Sequence, residues 1–562
     1  MGAPYIVNYT RGIWEFLMKN KLLFTITICI TLIAILLMLS ACNAGYDGTG
    51  EDVGTTTTAT TQPPPQPSPS TNLSPTEGLE YTLLHDGTYE VSVGSATDVK
   101  HIIIPSTYED RAVTGIADGA FSSCIELKNI TIPSSVKAIG DSAFRGCMRL
   151  VRVTFEKDSM IKSIGGYAFE RCYNLESINL GESKQLESIG DYAFSECREL
   201  KSITVPSTLT NISSSSFWHC YRLVEVYDLS NLDIKKGDYR NGGIALYALG
   251  LYKTASAESR LITDKEGFIV YNGDDKKILI DYDGNETDVI VPDGIAEIKN
   301  HAFYYNTRIN SIKIPSMVKD IGDGAFDGCS RLESVTFEEN SQLEYIKSHT
   351  FGKCYSLESI TIPSSVTGIS PCAFFWCENL ESVTFEEGSR LTSIGFSAFE
   401  RCTSLKSIEI PSEVTSIEFG VFSKCTDLIN IGVDEANTAY KSIDGNLYTK
   451  DGKKLVQYAC GKTQTAFKVP DGVESIEDDA FYGCESIESV TIPLSVTSIG
   501  FAAFHDCKSL ASAEFENPNG WWYSSSAEAT NRTAFSSDDL SNHITAAEYL
   551  SIAYSNKYWK LV

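Results

Sequence analysis

The chain has 562 residues, which at roughly 150 residues per domain allows three or four domains. It carries 46 Lys+Arg against 73 Asp+Glu, a net charge of −27, so phosphate backbones repel it and nucleic acid is excluded as its main partner. Apolar residues make up 42%, near the globular norm, and sixteen cysteines raise the question of a disulfide scaffold.

Leu22 to Leu39 is an uncharged, mostly apolar run of eighteen residues behind Lys19 and Lys21. A basic flank before an apolar core is an export-signal pattern, and eighteen apolar residues also just suffice to span a bilayer as a retained helix. Leu39-Ser40-Ala41-Cys42 follows and resembles the lipobox of bacterial lipoproteins. That resemblance implies a signal peptide over 1–42, with Cys42 as the lipid attachment point and mature N-terminus. Met18, just before the basic flank, is the alternative start. Residues 43–79 are rich in Thr, Pro, Gln and Ser, with too little apolar surface to offset the entropy of ordering, so a disordered tether is expected.

Self-similarity then reorganises the domain count. A Phe recurs in one context at Phe121, Phe144, Phe169, Phe194 and Phe217, then from Phe303 to Phe422, and again at Phe481 and Phe504. Within each block the spacing is 23 or 25 residues. One unit reads Cys124-x-x-Leu127-x-x-Ile130-x-Ile132-Pro133-x-x-Val136-x-x-Ile139-Gly140-x-x-Ala143-Phe144. Ile130 and Ile132 alternate with outward Asn129 and Thr131, the period of a strand, and Pro133 ends it because it cannot donate to a ladder. Gly140 is expected in a tight turn and Ala143-Phe144 in a short helical turn. No unit can bury its own apolar face, but stacked neighbours can.

The unit resembles leucine-rich repeats of the BspA-like class, on segments such as Ile132-Pro133-Ser134-Ser135-Val136 and Ile362-Pro363-Ser364-Ser365-Val366. The resemblance implies a repeat solenoid: a horseshoe with a parallel β-sheet on the concave face and short turns or 3-10 segments on the convex face. Two β-hairpin insertions interrupt it. The expected order is N-terminal cap and repeat block 1 (80–227), hairpin insertion (228–291), block 2 (292–432), hairpin insertion (433–470), block 3 (471–516) and C-terminal cap (517–562). In the cap, Thr545 to Tyr554 reads as a helix, and Trp521, Trp522 and Trp559 are candidates to close the core.

Twelve cysteines lie three residues after the repeat Phe, and in the thirteenth copy that place is Asn306. Buried free thiols are expected there, since side chains in register point in parallel and strain a bridge. Cys372 and Cys460 fall outside the pattern.

No catalytic constellation emerges, and the chain reads as a non-enzyme. His219, His301, His349 and His505 fall in different copies and read as surface positions in variable turns. Asp281-Tyr282-Asp283-Gly284-Asn285 superficially resembles a calcium loop but lacks the distal Glu, so no metal and no cofactor are implied. The remaining candidate is a surface. Thr131, Thr154, Thr204, Thr336, Thr361, Thr384 and Thr491, with Glu409 at one equivalent place, occupy the outward strand position and form a candidate concave binding face. Strand propensity and solubility also account for such threonines. The BspA-like resemblance implies a cell-surface protein adhering to host proteins or other cells, with an extracellular protein or glycan partner and a membrane anchor. The alternatives are a structural envelope spacer and, less favoured, an enzyme using Asp281 and Asp283 in the insertions.

Overall fold

A computed structural model describes residues 74–527 and 532–561. The chain divides into two units, 1–68 and 69–562, and the described residues belong to the second. The apolar run, Cys42 and the tether up to residue 73 lie outside them. Among the described residues no helix is long and apolar enough to cross a membrane.

The fold is a parallel β-solenoid, and each coil contributes two strands. In the coil of Cys124, Asn129–Ile132 is the long strand, with Ile130 and Ile132 buried and Asn129 and Thr131 part-exposed. It pairs in parallel with Arg152–Phe155, Ile130 opposite Val153 and Thr131 opposite Thr154. Past Pro133 and the buried Val136, the chain makes a second strand of two residues, Ala138–Ile139, which pairs with Ser163–Ile164 and onward. The apolar core lies between these two ladders.

The repeat Phe side chains form the axis of that core. Ring centroids of successive copies lie 4.5–5.7 Å apart, nearly parallel, in three runs broken only at the insertions. Each free repeat thiol with a repeat Phe one coil before it donates to that Phe's carbonyl, as Cys147 Sγ does to Phe121 O at 3.0 Å. Sequence and structure agree here on a chemical reason: the thiol is small, apolar enough for the core, and still able to satisfy one inward carbonyl.

Two features of the coil itself differ from expectation. The Phe turn is not helical. Residues two before and two after the Phe adopt left-handed backbone, such as Tyr167 and Arg171 around Phe169, or His301 and Tyr305 around Phe303. Hydrogen bonds from one coil to the next impose this shape, for example Phe144 N to Ala168 O at 2.7 Å and Gly146 N to Glu170 O at 2.8 Å. Gly140 is needed for proximity rather than for a special turn: a Cβ there would lie 2.6 Å from Asp118 N of the preceding coil.

The long-strand ladder is divided into sets running from His101–Ile103 to Ser177–Ile178, from Ser202–Val205 to Gly250–Tyr252, from Asp288–Ile290 to Asn430–Val433, and from Ala466–Lys468 to Ser512–Phe515. Both insertions are three-stranded antiparallel meanders rather than plain hairpins. In the first, Leu261–Thr263, Phe268–Asn272 and Lys277–Tyr282 pair in order, and the last strand continues in parallel onto Ile295–Ile298. In the second, Tyr440–Ile443, Asn446–Thr449 and Lys454–Gln457 do the same, leading onto Ser475–Ile476.

At the C-terminal end, Tyr558–Leu561 closes the short-strand ladder by pairing antiparallel with Ser498–Ile499 and Trp521–Ser524. Trp521, Trp522 and Trp559 are buried, and Trp521 and Trp559 join the last core cluster. The expected helix is α-helical only over His543–Glu548 and continues as a π turn, Tyr549–Ala553.

Candidate functional site

The threonine face is real as a surface but is not one continuous ladder. Thr336, Thr361, Thr384 and Glu409 share the largest set of long strands, and all four are exposed. There Thr361 pairs with Thr384 in register, their hydroxyls 2.8 Å apart, and the Ser334, Ser359, Ser382 and Ser407 row runs beside them. Glu409 lies over Gly432 of the next strand, where burial and Asp434 push its carboxyl up. Thr131 and Thr154 pair in the first set, Thr204 lies opposite Tyr227 in the second, and Thr491 lies opposite Glu514 in the fourth. The first two groups part within block 1, between Ser177–Ile178 and Ser202–Val205, and the two insertions separate the rest.

At the first insertion the structure assembles residues that the sequence leaves scattered. Phe268, Leu279 and Tyr282 of the meander pack into the core of block 2, while Ile269, Tyr271, Ile278 and Ile280 cluster with Val224 of block 1. Between these two apolar contacts lies a charged network. Asp281, fully buried, accepts from Arg222 Nη2 at 2.6 Å, and Arg222 also pairs with Glu199. Burial pushes the Asp281 carboxyl up, and Arg222 beside it pulls the other way.

Glu199, Asp281 and Asp283 each offer an oxygen within 4.8 Å of the others, a spacing that suits a metal ion. The Lys201 ammonium stands among them, 3.7 Å from Glu199 Oε2, 3.7 Å from Asp281 Oδ2 and 3.6 Å from Asp283 Oδ2. The lysine supplies the charge a metal would bring. Asp281, one of the two carboxylates considered for catalysis, is closed off from any substrate.

The histidine expectation needs correcting. His349 is exposed, but His301 is part-buried and stacks on Tyr221 with centroids 3.9 Å apart, and His219 also stacks on Tyr221, at 5.2 Å. Block 1 therefore meets block 2 through an aromatic cluster. Burial, then Arg198, holds His301 well below its usual range, at about 4. His505 is also part-buried and shares a 2.9 Å hydrogen bond with Ser555 of the cap.

Beside this network a cleft of about 570 Å³ opens between the last coils of block 1 and the first coil of block 2. Glu199 and Arg222 line one side, Tyr304, Tyr305 and Asn306 the other, and Asp283 projects from the meander. Of these only Asn306, as the one copy without Cys, and Asp283, in the loop that resembles a calcium site, carried a signal in the sequence. Glu199 and Arg222 occupy a repeat position that accepts almost any polar residue, so periodicity could not single them out.

At the second insertion the thiol expectation fails for one pair. Cys460, outside the repeat pattern, is bonded to the repeat cysteine Cys484 with Cα atoms 4.6 Å apart. The other eleven repeat cysteines are free and buried, and Cys372 is free and half-buried. The in-register argument still explains the free thiols. It does not apply to Cys460, which arrives from a meander rather than from the preceding coil. Tyr458, two residues earlier, stacks on Phe481 at 4.9 Å and takes the place of the missing repeat Phe.

Coils of 23 or 25 residues, with one outward-facing long strand, a Cys turn and a stacked Phe core, define a leucine-rich-repeat solenoid. Residues 95–236, 282–386, 344–448 and 453–556 match the BspA type leucine rich repeat region, and the chain belongs to that family. Among curated proteins none matches the chain. Of solved structures, the pneumococcal vaccine antigen PcpA is similar at 23% identity and a TM-score of 0.42, over 46% of this chain and 70% of that one. A leucine rich cell surface protein from Faecalibacterium prausnitzii A2-165 is 25% identical with a TM-score of 0.32, over 65% and 95% of the two chains. A leucine-rich repeat protein from Bacteroides ovatus ATCC 8483 is 23% identical with a TM-score of 0.26, over 78% and 98%.

Proposed function

We propose that the chain is an exported, lipid-anchored scaffold that binds another macromolecule outside the cell along its Thr/Ser strand face. The observation that carries this reading is the exposed run of Thr336, Thr361, Thr384 and Glu409 beside the parallel row of serines. A parallel ladder places equivalent hydroxyls about 4.8 Å apart. Such a surface suits an extended protein or glycan that makes many weak hydrogen bonds in sequence. Export through the apolar run and attachment at Cys42 would hold the scaffold at the membrane, and 43–79 would lift it clear. Membership of the BspA type family is consistent with a surface protein.

The test is binding of the full chain to a panel of matrix proteins, glycans and bacterial surfaces, alongside a variant carrying T336K, T361K and T384K. Saturable binding that the triple variant weakens about tenfold is expected. No saturable binding anywhere would sink the face. Retention of Cys42→Ala in the membrane fraction, with no acyl label on the parent chain, would remove the anchor.

A further inference from the structure

We propose that the cleft at the first break of the solenoid is a binding site for a neutral saccharide, separate from the strand face and independent of it. The cleft exists because the stack is interrupted. Wherever a repeat coil follows another, the turn after its Phe lies against the preceding coil, and its Cys donates to that coil's Phe carbonyl. The coil of Phe303 has no such neighbour: Tyr282 of the meander covers the ring, centroids 5.5 Å apart, and the flank of the turn faces open space. At that flank the repeat cysteine gives way to Asn306, whose Oδ1 accepts from Arg308 N at 3.0 Å and whose side chain lines the cleft. A residue used for core packing in twelve copies becomes a polar residue only where the core position has become a wall.

The chemistry of the walls selects the ligand. Of the groups that line the cleft, Glu199 and Asp283 are matched in number by Arg222 and Arg308, so its walls carry no net charge to attract an ion of either sign. An anion would meet Glu199 and Asp283, and a cation would meet Arg222 and Arg308. What remains is a dense set of planar hydrogen-bonding groups, carboxylate, amide and guanidinium, each able to engage two neighbouring hydroxyls at once. Tyr304 and Tyr305 add ring surface for the C–H face of a pyranose, and Tyr305 is 52% exposed. Arg198 over Tyr304 at 5.2 Å and Lys353 over Tyr305 at 5.9 Å hold both rings in place, which lowers the cost of ordering them on binding. The volume of about 570 Å³ falls within the range of small-ligand sites.

The probes are maltotriose, cellotriose, lactose and chitotriose, with sialyllactose and a glucosamine oligomer as charged controls, titrated calorimetrically into the full chain. At least one neutral probe is expected to saturate and to outbind both charged controls. Asn306→Ser and Asp283→Asn are expected to weaken it about tenfold each. Asp283 has a side chain 56% exposed, so its replacement keeps the fold if Asn306→Ser does not. T361K, on the strand face, is expected to leave saccharide binding unchanged, which separates failure of this site from failure of that face. Absence of saturation by every neutral probe at millimolar concentration overturns the proposal. So does preference for a charged control, or binding that both cleft variants leave intact.

Discussion

The two interruptions of the solenoid use one three-stranded module and attach it in opposite ways. At the first, an additional irregular segment intervenes, and Phe217 N donates to Gly242 O rather than to a coil of block 2. The joint is then made by Arg222 on buried Asp281, by the His301–Tyr221 stack and by apolar contacts on both faces of the meander. At the second, coil-to-coil bonding continues across the break, Lys424 N to Tyr482 O at 3.1 Å, so the meander leaves the stack without separating its turns. A disulfide, Cys460–Cys484, then fastens the meander to block 3. A charged joint needs room for its partners and leaves a polar cleft beside it. The covalent joint also has a cleft beside it, lined by Glu418 of block 2, Lys454 of the meander and Glu477 of block 3, but its turns stay in register.

The largest effect should come from the charged joint. Arg222→Ala leaves Asp281, 1% exposed in its side chain, with only the more distant Lys201 ammonium at 3.7 Å to balance it, and should cost about 3–5 kcal/mol in urea unfolding. Replacing both partners with apolar residues, Arg222→Met with Asp281→Leu, should recover most of that loss. A cost below about 1 kcal/mol for the single variant would mean that the apolar faces alone hold the joint.

Cys460→Ala should cost about 3 kcal/mol, the loop-entropy value for a bridge closing 24 residues of separation, and should act on block 3 alone. Thiol counting by alkylation and mass spectrometry on the denatured, unreduced chain checks the assignment. Cys460 and Cys484 should stay unlabelled while the other repeat cysteines react. Labelling of Cys484 would return the second joint to packing alone.

The smallest and most selective difference is in pH. Near the second joint Asp479 has its carboxyl pushed up to about 8 by burial and by Asp478 and Glu400, with Gly420 of block 2 beside its Oδ2. The folded state therefore binds the proton more tightly than the unfolded one, whose value is near 4, and stability falls as pH rises from about 4 to about 8. Asp479→Asn should raise Tm at pH 8 and leave it unchanged at pH 4. His301 at the first joint has the opposite sign: held down at about 4, it contributes stability above the unfolded value near 6.5, lost as pH falls from there towards 4. His301→Asn, which keeps a residue tolerant of left-handed backbone, should raise Tm at pH 5 relative to the parent chain. Equal pH dependence in both variants would erase the distinction between the joints.

Much of the solenoid was legible because its physics repeats. Ile130, Ile132, Phe144 and Cys147 recur at the same offsets, and thirteen copies make the core positions plain. The second ladder was not, because two residues such as Ala138–Ile139 are too short to show a period. The left-handed turn was hidden for a different reason. Ser142, Tyr167, Arg171, His301 and Trp376 share no chemistry, because neighbouring coils, not side chains, set their backbone. Gly140 was visible as a glycine, but its cause, the backbone of Asp118 against it, was not. At the candidate sites the threonines could be found by register alone. Arg222, Glu199 and Asp281 could not, since their partnership spans 82 residues from Glu199 to Asp281, across a break in the very period that made the rest readable.

The amino-acid order by itself therefore determined the coil: its length, its inward residues, its outward threonines and the place of its thiols. Each of these depends on interactions within a coil or with an identical neighbour, so periodicity carries them. Tertiary structure alone decided what happens where the neighbour is not identical. There Cys460 reaches a partner off the period, Lys201 settles among three carboxylates, His301 moves from a surface turn into a stack, and Asn306 faces a cleft. The physical reason is the same in each case. An interrupted stack has to satisfy exposed core ends with whatever groups the fold brings near, and those groups follow no repeat.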